Sequence, residues 1–243
     1  MMSTYRLKVT LQKRLNESWT QLVSSIQKIS SDCQVRPELA SEVFIIETIE
    51  GKAIKVTINP VVFRLKEKAN SERAELLVSV NGALNFAVDH EADDAMACHF
   101  KTEVGYFKIQ GKGKDLDHIM GLHYDFDDQE PLHPVYHAQL TSNAHHVDDI
   151  NAHYKQTYQL PTDRDHMLRV ARRVRMPTAH MDPLAVFIQL LADHLLNKNS
   201  GQVELDAFAK ARDAAMFFRS DMRQAQRMKH VVDNECFRGP RWY

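Results

Sequence analysis

The sequence is poor in cysteine, glycine and proline, with three, eight and eight of these among 243 residues. The cysteines at positions 33, 98 and 236 lie far apart and form no Cys-x-x-Cys pair, so neither a disulfide framework nor a cysteine zinc site is indicated. We expect three reduced thiols. The low glycine and proline content also excludes a collagen-like or low-complexity chain.

Long apolar runs and a strong net charge are missing as well. The longest apolar runs, such as residues 43–46, are far too short to cross a bilayer, and residues 1–14 lack the apolar core of a secretory signal. We therefore expect a cytoplasmic protein that makes no membrane contact. The net charge of −1 at pH 7 creates no overall field that would select a polyanion.

Signatures of common enzymes are absent from the sequence. It has no Gly-x-Ser-x-Gly elbow, no His-Glu-x-x-His helix and no Walker motif, and Gly-Lys-Gly-Lys at residues 111–114 lacks the spacing of a phosphate-binding loop. We expect no cofactor, and the balance leans away from an enzyme. A nuclease built on loosely spaced carboxylates stays open as an alternative, with the candidates Glu42, Glu47, Glu75, Asp89 and Glu103.

Residues 5–29 have the pattern of one long amphipathic helix. Apolar residues recur at steps of three and four, the period of a helical face, and the segment contains no glycine or proline. Such a stripe must dock on the chain's own sheet or on a partner helix, and the sequence leaves both open. The residues assigned to this docking stripe are Leu7, Leu11, Leu15, Trp19 and Leu22.

From residue 43 to residue 140 the apolar period changes to two, which predicts six to eight strands in an antiparallel or mixed sheet. Asn81-Gly82 lies between two alternating runs and predicts a hairpin turn within residues 74–89. We expect an acidic loop at residues 90–97 and the last two strands at residues 117–126 and 134–140.

The C-terminal third is predicted to be helical. Asp182-Pro183 resembles a helix start, and a further helix is expected over residues 203–232 with Leu205, Phe208 and Ala209 facing inward. The chain is therefore predicted to be α+β, with four parts: an N-terminal helix at 1–35, a sheet region at 36–142, a linker loop at 143–162 and a helical region at 163–243.

Histidine is abundant, with 13 in the chain and a dense group after residue 117. If the last two predicted strands form a hairpin centred near Glu130, His123 lies opposite His137 and shares a face with Asp125. Two imidazoles and a carboxylate are the ligand set of a non-haem iron site, and zinc also accepts them. The alternatives are a polar strand face and a partner-contact or pH-sensitive surface.

Charge is uneven along the chain. Residues 89–160 have a net charge of −8, whereas residues 1–88 and 161–243 have net charges of +3 and +4. Arginines cluster in two C-terminal segments and would contact nucleic acid or a protein partner, or simply lie on solvated helix faces. These arginines are Arg169, Arg172, Arg173, Arg175, Arg219, Arg223 and Arg227.

A resemblance to a known group rests on four short motifs. They are Leu122-His-Tyr-Asp-Phe followed by His133-Pro-Val-Tyr-His-Ala-Gln-Leu, then Met176-Pro-Thr and Met181-Asp-Pro. These motifs resemble bacterial accessory proteins associated with defence or toxin–antitoxin systems, some of them subunits of anti-plasmid or anti-phage (antiviral) assemblies built on SMC-like ATPases. The resemblance implies a bacterial subunit whose larger partner proteins carry the chemistry and bring it to DNA. It carries over no catalytic residue.

The leading hypothesis is a non-catalytic accessory or adaptor subunit of a multi-protein assembly, a defence complex that acts on foreign DNA. The first alternative is a small metal-dependent enzyme that uses His123, Asp125 and His137. A lesser alternative is a nucleic-acid-binding module that uses the C-terminal arginines.

Overall fold

The helical and alternating patterns correspond to a long helix, a sheet and a helical C-terminal part, so the predicted α+β class is confirmed. A computed structural model describes residues 4–31, 33–37, 41–50, 53–66, 75–89, 94–110, 115–127, 136–141, 157–159 and 182–215. The helices are α1 (Thr4–Ile29), α2 (Pro183–Leu190) and α3 (Gln202–Ala215), with a π-helical turn at Leu191–Leu195. The strands are β1 (Gln34–Pro37), β2 (Phe44–Ile49), β3 (Ala53–Lys66), β4 (Glu75–Asp89), β5 (Asp94–Gln110), β6 (Asp115–Asp127), β7 (Tyr136–Thr141) and β8 (Thr157–Gln159).

The sheet follows the antiparallel order β1-β3-β4-β5-β6-β7. Two short strands complete its borders: β2 pairs with the half of β3 that β1 leaves uncovered, and β8 pairs in parallel with the start of β6. The central strands are neighbours along the chain, as short connections require. The predicted linker at residues 143–162 contributes β8 to this sheet.

The helices cover one face of the sheet through an aromatic contact. The ring of Trp19 in α1 lies 6.5 Å from that of Phe44 in β2 and 5.8 Å from that of Phe187 in α2. Leu15 and Leu22 are buried, and Leu7, Leu11 and Trp19 pack against the same core. The stripe of α1 therefore docks on the chain's own fold. No helix in the described part of the chain is both long and apolar enough to span a membrane.

Small residues let α1 and α3 approach each other closely. The Ser18 hydroxyl donates a hydrogen bond of 2.5 Å to the Ala214 carbonyl, and Ala207 and Ala211 of α3 are buried. The prediction that Leu205 faces inward was wrong, because its side chain is 45% exposed. Two residues along a helix rotate by about 200°, so burying Ala207 turns Leu205 outward.

The predicted hairpin turn at Asn81-Gly82 was also wrong, since β4 runs continuously through both residues. Gly82 serves a packing role instead. A Cβ there would collide with the Lys101 carbonyl oxygen and lie 3.0 Å from Cγ of Pro183, at the start of α2. A glycine inside a strand thus marks the close approach of another element.

Strands also include an internal Asn-Pro pair and part of a predicted loop. Asn59-Pro60 lies inside β3, where a register shift between Ile58 and Val61 absorbs it. The acidic loop expected at residues 90–97 was wrong over residues 94–97, because β5 already begins at Asp94. Residues 90–93 lie outside the described part of the chain.

Candidate functional site

The sheet face that points away from the helices carries a group of charged side chains. Near the middle of β5 and β6 the even-numbered residues belong to the core shared with the helices, so alternation turns the odd-numbered ones to the other face. The strand register places Glu103 opposite His123 and Lys101 opposite Asp125. These four residues are called the charged cluster.

Glu103 is the centre of the cluster. Its Oε1 lies 2.9 Å from Nζ of Lys101 and 3.7 Å from Nδ1 of His123. Its Oε2 accepts a hydrogen bond of 3.2 Å from the amide of Asn81. The other ring nitrogen of His123, Nε2, lies 3.5 Å from Oδ2 of Asp125. The side chains of Glu103 and His123 are only 10% and 16% exposed, so solvent screens these contacts weakly.

These contacts fix the protonation states of Glu103 and His123. Burial alone would raise the pKa of Glu103, but the polar contacts with His123, Lys101 and Asn81 outweigh it and the pKa falls to about 2. Hydrogen bonds to Asp125 and Glu103 raise the pKa of His123 to about 9, against the effects of burial and of Lys101. At neutral pH the cluster therefore contains an imidazolium held between two acidic residues.

This arrangement is poorly suited to general acid–base catalysis at neutral pH. A general acid or base works best with a pKa near the operating pH, and both shifts move away from pH 7. Both ring nitrogens of His123 face carboxylates, which an imidazolium pairs with. The described residues contain no group of three or more His, Cys, Asp or Glu side chains placed to hold a metal ion.

The register between β6 and β7 differs from the predicted one by two residues. His137 lies opposite Asp125, and His123 lies opposite Gln139. The centre of the hairpin therefore lies one residue after Glu130. Because the register shift is two residues, every residue keeps its predicted face. His123 and His137 are diagonal neighbours instead of a direct pair. The side chain of His137 lies outside the described part of the chain, so the ligand set of His123, Asp125 and His137 stays a prediction.

A second polar group lies on the helix-covered face and was missed by the sequence analysis. The ring of Tyr106 lies 5.8 Å from that of His194, in the π-helical turn, where Asp193 accepts a hydrogen bond of 3.1 Å from Gln189. Burial raises the pKa of both Tyr106 and Tyr124, and the charge of Asp193 adds to this. These phenols therefore stay protonated and offer hydrogen bonds, not nucleophiles. The one sequence signal was a polar pair directly after the apolar run of α2.

The carboxylates proposed for a nuclease do not converge. Glu75 and Asp89 are the first and last residues of β4, a separation of about 45 Å at the usual rise of a strand. Glu42 and Glu47 are exposed near the opposite border of the sheet from β6, whereas Glu103 belongs to the charged cluster.

The remaining candidates are a buried thiol and the arginines. Burial raises the pKa of Cys33 to about 12, so this thiol is unreactive at neutral pH. Arg169, Arg172, Arg173, Arg175, Arg219, Arg223 and Arg227 lie outside the described residues.

Comparison of the chain with models of known protein families, with curated proteins and with solved structures finds no match.

Proposed function

We propose that the chain is a non-catalytic accessory subunit of a multi-protein assembly. The observation that carries this proposal is the geometry of the charged cluster, in which Glu103 contacts Lys101 and His123 and the other nitrogen of His123 faces Asp125, so that these side chains are held by ion pairs with one another. The resemblance of residues 122–183 to bacterial defence-associated proteins adds the expectation that the larger partner is an SMC-like ATPase acting on foreign DNA in the cytoplasm.

The distribution of apolar surface supports a docking function. The stripe of α1 is used within the fold, so a partner must bind elsewhere. Large apolar side chains remain exposed on β2 and on the outer faces of α1 and α3, namely Ile45, Ile49, Tyr5, Val9, Val203 and Leu205. Exposed apolar side chains in groups are typical of contact surfaces.

The first test is activity of the purified full chain. We expect no hydrolysis of DNA, RNA, ATP or GTP with Mg²⁺, Mn²⁺, Zn²⁺ or Fe²⁺, and a stable stoichiometric complex when the chain is isolated from its native host. Turnover by the pure chain that is lost in His123→Gln would overturn the proposal in favour of an enzyme. Lys210→Gln, which removes one charge from an exposed position of α3, is the matched control.

A further inference from the structure

The outer border of β3 is covered by two short strands that differ in character. β1 pairs with residues 61–64 and β2 with residues 53–58, and no described strand pairs with the outer edge of either. An edge of this kind presents backbone N–H and C=O groups that can pair with another strand.

Only β1 carries the usual protection against such pairing. It has four residues, and two of them are Arg36 and Pro37. β2 has six residues without proline, lysine or arginine, and it pairs with β3 without a bulge. Ile45 and Ile49 of β2 are 40% and 43% exposed. The unprotected half of the border is therefore also the apolar half.

The exposed pleat of β2 has a defined charge. Ile45, Glu47 and Ile49 alternate on one face, and Glu47 is exposed between the two isoleucines. Residues 41–50 contain three glutamates and no basic residue. Lys55 of β3 lies opposite Glu47 on the inner side of β2. An incoming strand with a cation opposite Glu47 would place a second cation on the outer side, since opposite charges on directly paired residues stabilise a sheet.

The same charge disfavours a second copy of this chain. In an antiparallel pair of two β2 strands, placing Ile45 opposite Ile49 also places Glu47 directly opposite Glu47 of the other copy. Like charges in that position are destabilising. Registers that separate the glutamates pair at most one isoleucine of each strand with its counterpart, as when Ile45 lies opposite Ile45.

We propose that β2 binds an extended segment of another protein as an additional antiparallel strand, with a Lys or Arg opposite Glu47 and apolar side chains opposite Ile45 and Ile49. Backbone pairing supplies affinity in this mode, and the alternating side chains supply specificity. This inference rests on the proposed subunit function and names the chemistry of the partner.

The test uses two end-blocked peptides, Thr-Val-Thr-Lys-Thr-Val-Thr and the same peptide with Glu in place of Lys. Fluorescence anisotropy with the full chain should show about tenfold tighter binding of the lysine peptide, from one favourable and one unfavourable cross-strand pair. Glu47→Lys should reverse the preference. Glu17→Lys, an equal charge change at an exposed position of α1, should leave it unchanged.

Three results would overturn the inference. They are a failure of both peptides to bind, an unchanged preference in Glu47→Lys, and a dimer of the native chain in light scattering that Ile45→Lys abolishes. If the complex isolated from the host still forms with Glu47→Lys, β2 is excluded as the binding site while the proposed subunit function remains. Catalysis by the pure chain would instead overturn the subunit function alone.

Discussion

His123 and Glu103 show how neighbours decide what a residue can do. His123 was predicted as a metal ligand because His-x-Asp places both side chains on one strand face, and the structure confirms that the two side chains meet. The sequence singled out Glu103 only as one of several spaced carboxylates and did not link it to His123, because the two residues face each other only through the pairing of β5 with β6. Cross-strand partners depend on register, which no local pattern in these segments specifies.

The charged cluster makes stability depend on pH at both ends. Glu103 has a folded pKa of about 2, below its ordinary 4.5, so its contribution is complete above pH 4.5 and is lost as the pH falls toward 2. His123 has a folded pKa of about 9, above its ordinary 6.5, so its contribution is complete below pH 6.5 and is lost as the pH rises through 9. We expect the charged cluster to contribute most to the free energy of unfolding between about pH 4.5 and 6.5, as measured by urea denaturation across pH.

His123→Gln should flatten the alkaline decline in the free energy of unfolding. His99→Gln, which removes a half-buried histidine of the neighbouring strand β5, should keep that decline. An unchanged alkaline limb in His123→Gln would contradict the ion pairing described for this side chain.

Gly82 gives a second prediction at the scale of one atom. Gly82→Ala should lower the free energy of unfolding by about 1–3 kcal/mol, because a Cβ collides with backbone and overpacking costs this much. Gly201→Ala is the comparison, since a Cβ there lies 3.8 Å from Oε2 of Glu204, an ordinary contact. Urea denaturation of both variants should show the larger loss at Gly82; equal losses would contradict the packing role.

At the scale of elements, periodicity located α1 within one residue at its start, because seven apolar positions agree on one helical face. It divided β4 wrongly, because Asn-Gly is a strong turn signal and the reason for Gly82 lies in the backbone of β5 at Lys101 and in Pro183 of α2, about 100 residues further along the chain. Elements whose reason is local were predictable, whereas those shaped by distant contacts were not.

Trp19→Ala tests whether α1 is held by its own fold. Removing an indole that contacts Phe44 and Phe187 should lower the free energy of unfolding by about 3 kcal/mol. Val9→Ala, on the exposed side of the same helix, should change it by less than about 0.5 kcal/mol. If urea denaturation gave the same loss of unfolding free energy for both variants, the apolar stripe of α1 would not be packed against the fold in solution.

At the scale of the whole molecule, the helices shield one face of the sheet, and the other face carries the charged cluster. A chelator separates the proposed subunit from the metal-dependent alternative. We expect EDTA to leave the melting temperature unchanged, because the described acidic and histidine side chains form no metal cage. A fall of several degrees that Zn²⁺ or Fe²⁺ reverses in the native chain, but not in His123→Gln, would establish a metal site.

The hydrogen bond from Ser18 to Ala214 joins residues 196 positions apart, so α1 leaves the ribosome long before α3 exists. At 5–20 residues per second this interval lasts roughly 10–40 seconds. Phe44 follows Trp19 by only a few seconds of synthesis, so β2 can shelter the indole early. The face of α1 that carries Ser18 has no α3 to contact until the end of this interval. Its polar hydroxyl group can be hydrated by water during that time.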